Sequence, residues 1–313
     1  MEKLNEKLKI IFVGIPDMGL VCLMNLFKQG FDILGVVPPK KSHDTYNFFK
    51  NYVQDLNLNL IEFENSPNEE NCINKLKALN ADIGVICSYN TKLSSDFIKT
   101  TKMGYINCHP SLLPDYRGGA PYFHIINNGE KVSGITLHFI DEEFDTGDIV
   151  YQEKFDVAPF ETMGSIFNRT NYMISDALTQ VLKKLQETGE IKRYHQPKEG
   201  KFKTAPLVDG NFRLRWNTYS NVEIERLVRA CNPFYNVFTS FRGANAKIIK
   251  AEAVDYKHDF KFGKIIKANE NTLLVATKGG AVNITLISIG SWGYFDNKDF
   301  YCMFTPGEDE EFI

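Results

Sequence analysis

Through the first 189 residues, short β-branched runs alternate with segments whose apolar side chains recur at helical spacing. Residues 8–13 read as a strand and Gly14-Ile-Pro-Asp17 as its exit turn. Leu20, Leu23, Met24 and Phe27 then fall near one helical face, up to Gly30. Residues 32–37 predict a second strand, stopped by Pro38 and Pro39, which lack a ladder N–H. A helix over 45–56, a strand over 58–63 and a helix opened by Ser66-Pro67-Asn68-Glu69 follow. Next come a strand over 82–87, a short helix from Ser94 or Ser95, and a strand over 105–109 ended by Pro110. A helix from Pro121 is broken by Asn128-Gly129, strands cover 134–140 and 149–157, and an amphipathic helix over 163–185 ends at Gly189. Such alternation implies an α/β fold, a Rossmann-like doubly wound parallel sheet, over residues 1–189. Gly14-x-x-x-x-Gly19 lacks the order of a dinucleotide fingerprint and reads as a tight strand-to-helix turn.

The pattern changes after Gly189. Residues 190–210 combine Lys192, Arg193, Lys198, Lys201 and Lys203 with two prolines and little periodicity, and read as a linker. Residues 211–313 form a second unit. A helix over 221–231 stops at Asn232-Pro233. Short strands around 237–241, 246–254, 263–268, 273–277 and 282–289, separated by Gly and Asn turns, predict a smaller β-barrel-like, OB-like domain.

Composition narrows the class. Hydrophobic residues make up 43% and charged residues 24%, a globular balance. A formal net charge of -3 gives no whole-chain attraction to nucleic acid. The six cysteines, at 22, 72, 87, 108, 231 and 302, form no CxxC and read as reduced thiols, so the expected location is cytoplasmic. No apolar run reaches membrane-spanning length, and residues 1–7 lack the apolar core of a signal peptide. No cluster has zinc spacing, so no metal is expected.

The reactive residue types concentrate in 105–148. Alternate side chains of a strand share a face, so Asn107 and His109 point one way and Cys108 the other. In open α/β sheets ligands sit at the carboxyl ends of strands. An imidazole with an unperturbed pKa of about 6.5 accepts a proton there. The Asn107 amide can donate to a developing oxyanion, and the acidic loop 141–148 can return Asp145 to orient His109. A core histidine and a turn aspartate are the plainer readings; the strand-end pairing of His109 with Asn107 favours catalysis. Cys108 faces away and is no candidate nucleophile.

Asn107-x-His109, the Ser111-Leu-Leu-Pro114 loop and Asp145-x-Gly147 stand in an order and spacing that resemble the formyl-tetrahydrofolate-dependent formyltransferases. The likeness is close in 105–148 and looser elsewhere. It implies that Asn107, His109 and Asp145 are catalytic and that 10-formyltetrahydrofolate is the co-substrate, with no metal. It places the pterin beside Ser88 and Tyr89 and beside Ile140 and Asp141. Tyr116, Arg117 and Gly118 are expected to contact the acceptor, Tyr116 by stacking and Arg117 as a phosphate anchor.

Acceptors in this family include initiator methionyl-tRNA, nucleotide-linked amino sugars and glycinamide ribonucleotide. The second domain disfavours the last, whose enzymes usually have one. The tRNA enzymes carry a longer basic insertion after the second strand, whereas Pro38-Pro-Lys-Lys-Ser-His-Asp44 is short and barely basic. The C-terminal domain has nearly balanced charge and an acidic end, Gly307-Glu-Asp-Glu-Glu-Phe-Ile. A tRNA partner should leave a basic footprint. The preferred acceptor is therefore a nucleotide-linked amino sugar, with methionyl-tRNA as the alternative. A formyl-folate hydrolase, with water as acceptor, and a non-catalytic binding module are the other classes. The oligomeric state stays open, a homodimer included.

Overall fold

A computed structural model describes residues 7–207, 210–307 and 309–313. Residues 1–6, read above for a missing signal peptide, residues 208–209 of the expected linker, and Glu308 of the acidic end lie outside the described residues. The chain divides into two compact units. The first holds the residues up to Pro121, Val132–Asp156 and Phe167–Ala205; the second holds Tyr122–Lys131, Val157–Ile166 and the residues from Pro206 onward.

The first unit contains β1 (Lys9–Gly14), α1 (Met18–Lys28), β2 (Asp32–Val37), α2 (Tyr46–Asp55), α3 (Glu70–Ala78), β3 (Ile83–Cys87), α4 (Ser95–Ile98), β4 (Tyr105–His109) and β5 (Arg117–Gly118). After α5 (Pro121–Asn127) come β6 (Val132–Phe139), β7 (Ile149–Asp156), α6 (Met163–Thr188) and β8 (Lys203–Thr204). Strand β1 shows why the sheet is covered on both sides. Ile10 and Phe12 join one apolar cluster with Leu23 and Leu26 of α1, Phe49 of α2, and Leu178 and Leu182 of α6. Ile11 and Val13 join another with Leu76 of α3 and Phe97 of α4. A strand buried on both faces needs the uninterrupted apolar run that residues 10–13 supply.

The six strands run in the order β2-β1-β3-β4-β6-β7. The first four are parallel, as the alternating pattern predicts. Strands β6 and β7 are antiparallel, a departure from the all-parallel expectation. The short link between them cannot hold the dozen or more residues of a parallel crossover, so the chain returns as a hairpin. The strand expected over 58–63 shrinks to one bridge, Val36 with Leu60. Strand β2 has ended by then, and Pro38 and Pro39 offer no N–H for the ladder to continue.

Of the stretch read as a linker, the residues up to Ala205 belong to the first unit. Tyr194 exchanges two backbone hydrogen bonds with Ile149, both 2.8 Å, and β8 pairs with β5. Gln196 is buried within it, at 2% exposure.

The second unit contains β9 (Asn211–Arg213), α7 (Asn221–Cys231), β10 (Asn236–Phe241), β11 (Ala244–Val254), β12 (Ile265–Asn269), β13 (Thr272–Thr277), β14 (Gly280–Ile289), β15 (Gly293–Asp296) and α8 (Asn297–Phe304). A capping box of Ser220 and Glu223 starts α7, which ends where Asn232-Pro233 predicted. The sheet closes through the last residues. Ile313 exchanges hydrogen bonds with Ser240 beside β10, while Phe312 N donates to Gly263 O and Ile265 N to Glu310 O beside β12. The last residues thus bond to β10 where β9 has ended and to the edge strand β12, which gives the expected barrel-like closure. Strands β9 and β15 and helix α8 had no counterpart in the sequence pattern.

Gly84 of β3 lies opposite Tyr105 of β4. A Cβ placed there would stand 1.9 Å from the Tyr105 ring, which is fully buried and hydrogen-bonded to Thr100 through its hydroxyl at 2.7 Å. Gly84→Ala should therefore destabilise the protein by about 2–3 kcal/mol through overpacking, read as a fall in the urea midpoint. An unchanged midpoint would mean that the ring moves freely.

Candidate active site

Strand β4 brings Asn107 and His109 to one face and turns Cys108 to the other, where its sulfur is 3.5 Å from Cys87. The antiparallel neighbour β6 places His138 opposite Asn107 and Thr136 opposite His109. After Pro110 the chain loops back: Ser111 Oγ donates to Asp115 O at 2.7 Å, and Thr136 Oγ1 donates to Ser111 O at 2.6 Å. That loop returns the Tyr116 carbonyl to His109. The hairpin between β6 and β7 returns Asp145 to the same place.

Hydrogen-bond partners fix where the protons sit. His109 Nε2 is 2.9 Å from Tyr116 O, and a carbonyl only accepts, so Nε2 carries the proton. The unprotonated nitrogen of the neutral ring is then Nδ1, which faces Asp145 Oδ2 at 3.7 Å. His138 Nδ1 is 2.8 Å from Phe139 O and is protonated for the same reason. Its Nε2 accepts from Asn107 Nδ2 at 3.1 Å. The same Asn107 nitrogen donates to Asp145 Oδ1, also at 3.1 Å. Asp145 Oδ2 further accepts the Gly118 backbone N–H at 2.9 Å. Both Asn107 N–H groups thus point at partners inside the site. Donation to an oxyanion requires one of them to change partner, which strand alternation alone does not reveal.

Burial pushes the His109 imidazole below its usual value; Asp145 opposes this and His138 adds to it. For Asp145, burial alone would raise the carboxyl. The neighbouring His109 and His138 and the Gly118 N–H outweigh burial and hold it well below the usual carboxylate range. Near neutral pH the site therefore holds a neutral imidazole beside a carboxylate. Asp145 adopts φ 57, a left-handed backbone that costs a non-glycine residue about 1–2 kcal/mol.

The expected acceptor residues have other partners. Arg117 is 5% exposed. Its Nε donates to Asp145 O at 3.0 Å and its Nη1 to Lys198 O at 2.9 Å. Its Nη2 donates to Gln196 Oε1 at 2.8 Å and Pro197 O at 2.9 Å. The guanidinium is enclosed by the chain's own acceptors and is not presented to a diffusing phosphate. Tyr116 is also buried, with its ring stacked on Phe202 at 5.0 Å. Gly118 serves Asp145 through its N–H, at φ 104, where a Cβ would meet Thr204 O at 2.1 Å.

The four residues expected to flank the pterin fall in two places. Ser88, at φ 55, follows β3 at the His109 end of the sheet, since Cys87 is in register with Cys108. Tyr89 beside it donates its hydroxyl to Pro38 O at 3.1 Å. Ile140 N donates to Tyr105 O at 3.0 Å, so Ile140 and Asp141 lie beside the start of β4. Asp141 Oδ1 accepts from Glu143 N at 3.0 Å and Thr146 Oγ1 at 2.6 Å, which shapes the hairpin tip.

Two site residues escape a reading of the sequence. His138 had a usable signal: Thr136 and His138 are polar, two apart, and alternate with the apolar Ile135, Leu137 and Phe139. Gln196 had none, because it sits in a polar stretch without periodicity. Among the described residues no group of His, Cys, Asp or Glu side chains is placed to hold a metal ion, and no helix is long and apolar enough to cross a membrane.

Comparison with known proteins gives matches along most of the chain. The family model described as "Formyl transferase" matches residues 28–182, and "Formyl transferase, C-terminal domain" matches 207–303. Methionyl-tRNA formyltransferase of Clostridioides difficile is 30% identical over 275 residues, covering 86% of this chain and 88% of the relative. That of Flavobacterium johnsoniae is 30% identical over 295 residues, covering 91% and 92%. Among solved structures, WlaRD, a sugar 3N-formyl transferase crystallised with dTDP and 5-N-formyl-THF, superposes with TM-score 0.66 at 19% identity over 91% of this chain and 98% of its own. An N-formyltransferase from Helicobacter canadensis, in complex with folinic acid and dTDP-3-aminofucose, gives 0.63 at 18% over 92% and 100%. At these identities the structural likeness concerns the fold.

The lowered His109 value has a consequence for stability. Unfolded, the imidazole titrates near ~6.5; folded, it titrates lower. Its contribution is present above the unfolded value and is lost as pH falls through the folded one. The wild-type thermal midpoint should therefore drop more between pH 7.5 and pH 5 than that of His109→Gln. Parallel curves for the two proteins would contradict a lowered His109 value in the folded state.

Proposed function

The chain belongs to the formyltransferase family, and from that premise we propose that it moves the formyl group of 10-formyltetrahydrofolate to the primary amine of a nucleotide-linked amino sugar. The observation that carries the chemistry is the His109 Nδ1 left unprotonated beside the ionised Asp145. His109 accepts a proton from the amine as the new C–N bond forms at the formyl carbon. Asp145 stabilises the resulting imidazolium. Asn107 exchanges its bond to His138 for one to the developing oxyanion. His109 then returns the proton to the departing folate nitrogen as the old C–N bond breaks, so protons and electron pairs balance. Ser88 and Tyr89, at the His109 end of the sheet, are the nearer candidates for contact with the pterin, and Ile140 and Asp141 lie at the far end of β4. Arg117 and Tyr116 support the catalytic groups rather than the acceptor.

The short connection from Val37 to Tyr46 supports a small acceptor, because it leaves no basic insertion to track a polynucleotide backbone. A second reading, methionyl-tRNA as acceptor, is favoured by a different observation. The curated relatives that match nearly the whole length are methionyl-tRNA formyltransferases, and the C-terminal family model matches as well.

Incubation with formyl-tetrahydrofolate and either dTDP-linked amino sugars or charged initiator tRNA separates the two. Formylation of the sugar amine, with no tRNA binding at physiological salt, is expected. Tight tRNA binding that weakens steeply with salt, with formyl transfer to its methionine, would replace the first reading by the second. On the accepted substrate, His109→Asn should lose at least ~100-fold in kcat, the lower range for a positioned acid–base group. Full activity in that variant would remove His109 from the reaction.

A further inference from the structure

Gln196 is buried in a stretch whose neighbours are mostly exposed. Its side chain uses both ends. Nε2 donates to the Asp145 carbonyl at 3.2 Å and to the Gly147 carbonyl at 2.6 Å. Oε1 accepts from Arg117 Nη2 at 2.8 Å and Nε at 3.3 Å. Arg117 Nε reaches the same Asp145 carbonyl at 3.0 Å. The Asp145 carbonyl thus receives two side-chain donors, while its carboxylate serves Asn107, Gly118 and the two histidines. A residue in the left-handed region persists there only when its surroundings over-determine it. At Asp145 the surroundings are this pair.

The segment that carries Gln196 is fastened along its length. Tyr194 bonds to Ile149, and Lys201 N donates to Asp115 Oδ1 at 2.6 Å. Tyr116 N donates to Phe202 O at 2.9 Å, and Lys203 and Thr204 pair with Arg117 and Gly118. Gly200 lies so close to Pro114 that a Cβ would meet its carbonyl at 2.1 Å. The same segment therefore holds Tyr116, whose carbonyl accepts the His109 Nε2–H bond, and Gly118, whose N–H donates to the Asp145 carboxylate.

We infer that Gln196, acting with Arg117 through the Asp145 carbonyl, is a positioning residue that sets the distance of the Asp145 carboxylate from His109 Nδ1 and so the basicity of His109. The inference rests on the assignment of His109 and Asp145 as partners. Replacing Gln196 by Met fills the same space without donors or acceptors. Asp145 then loses one donor outright and a fixed Arg117 with it. The carboxylate relaxes away from Nδ1, and the imidazole loses part of the charge that opposes burial. The direction follows from the sign: a nearby anion raises the His109 value, so a more distant one lets it fall.

The test is an NMR titration of His109 in the full chain, with labelled imidazole, which needs no acceptor. In Gln196→Met the His109 midpoint should fall by about half a pH unit or more, a fraction of what a close opposite charge supplies. Gln196→Asn, whose amide is one methylene short of both carbonyls, should fall between wild type and Gln196→Met, and it serves if the Met variant does not fold. Asp145→Asn is the control and should lower the midpoint furthest. A folded Gln196 variant with an unmoved midpoint, whatever its thermal stability, would overturn the inference and leave Gln196 a packing residue. An unmoved midpoint in Asp145→Asn would instead overturn the His109–Asp145 pairing on which the inference stands.

Discussion

A carboxylate taken out of water ionises only where other groups replace its solvation. At Asp145 the donors are the Gly118 backbone N–H and the Asn107 amide, with His109 Nδ1 and His138 Nε2 standing 3.7 and 3.5 Å from the carboxylate. No two adjacent residues supply them. Strand β4 brings Asn107 and His109, the antiparallel β6 brings His138, and the tight Tyr116–Gly118 turn brings the backbone N–H. In the proposed reaction the charge stands beside the nitrogen of His109 that would take a proton. Removing one supplier leaves a buried charge with fewer partners, so these segments depend on one another.

Proton wiring follows from the backbone. Tyr116 O and Phe139 O are fixed acceptors, and each selects the tautomer of one histidine. The two selections are opposite. His109 keeps Nδ1 unprotonated, towards Asp145, while His138 keeps Nε2 unprotonated, towards Asn107. Two imidazoles in one pocket thereby differ in their bare nitrogen, which in His109 stands beside the Asp145 carboxylate and in His138 accepts from the Asn107 amide. Cys108, on the far side of β4, takes no part, as strand alternation alone implies.

Much of this was legible in the sequence where a local rule governs it. Alternation along β4 placed Asn107 and His109 together, proline and glycine marked the ends of strands and helices, and Asn232-Pro233 marked the end of α7. What escaped depends on contacts distant in sequence. The antiparallel pairing of β7 with β6 is a matter of link length, and that of β6 with β4 a matter of sheet register. The bridge at Leu60 is a strand that lost its partner. Arg117 and Tyr116 were read as ligand contacts because their residue types suit phosphate and bases; their enclosure by Gln196, Phe202 and nearby carbonyls lies some eighty residues along the chain. Gln196 left no trace because an isolated glutamine in a polar stretch carries no periodicity. The acceptor lies further still from local pattern: relatives matched along most of their length are methionyl-tRNA formyltransferases by name, and a solved neighbour holds dTDP-3-aminofucose.

The central claim is that His109 stands ready as a neutral base with its free nitrogen at Nδ1. A two-bond proton–nitrogen correlation spectrum of ring-labelled protein at pH 8 reads this tautomer without substrate. The account predicts a protonated Nε2 and an unprotonated Nδ1 for His109. A proton on Nδ1 at that pH, with Nε2 bare against the Tyr116 carbonyl, would contradict it.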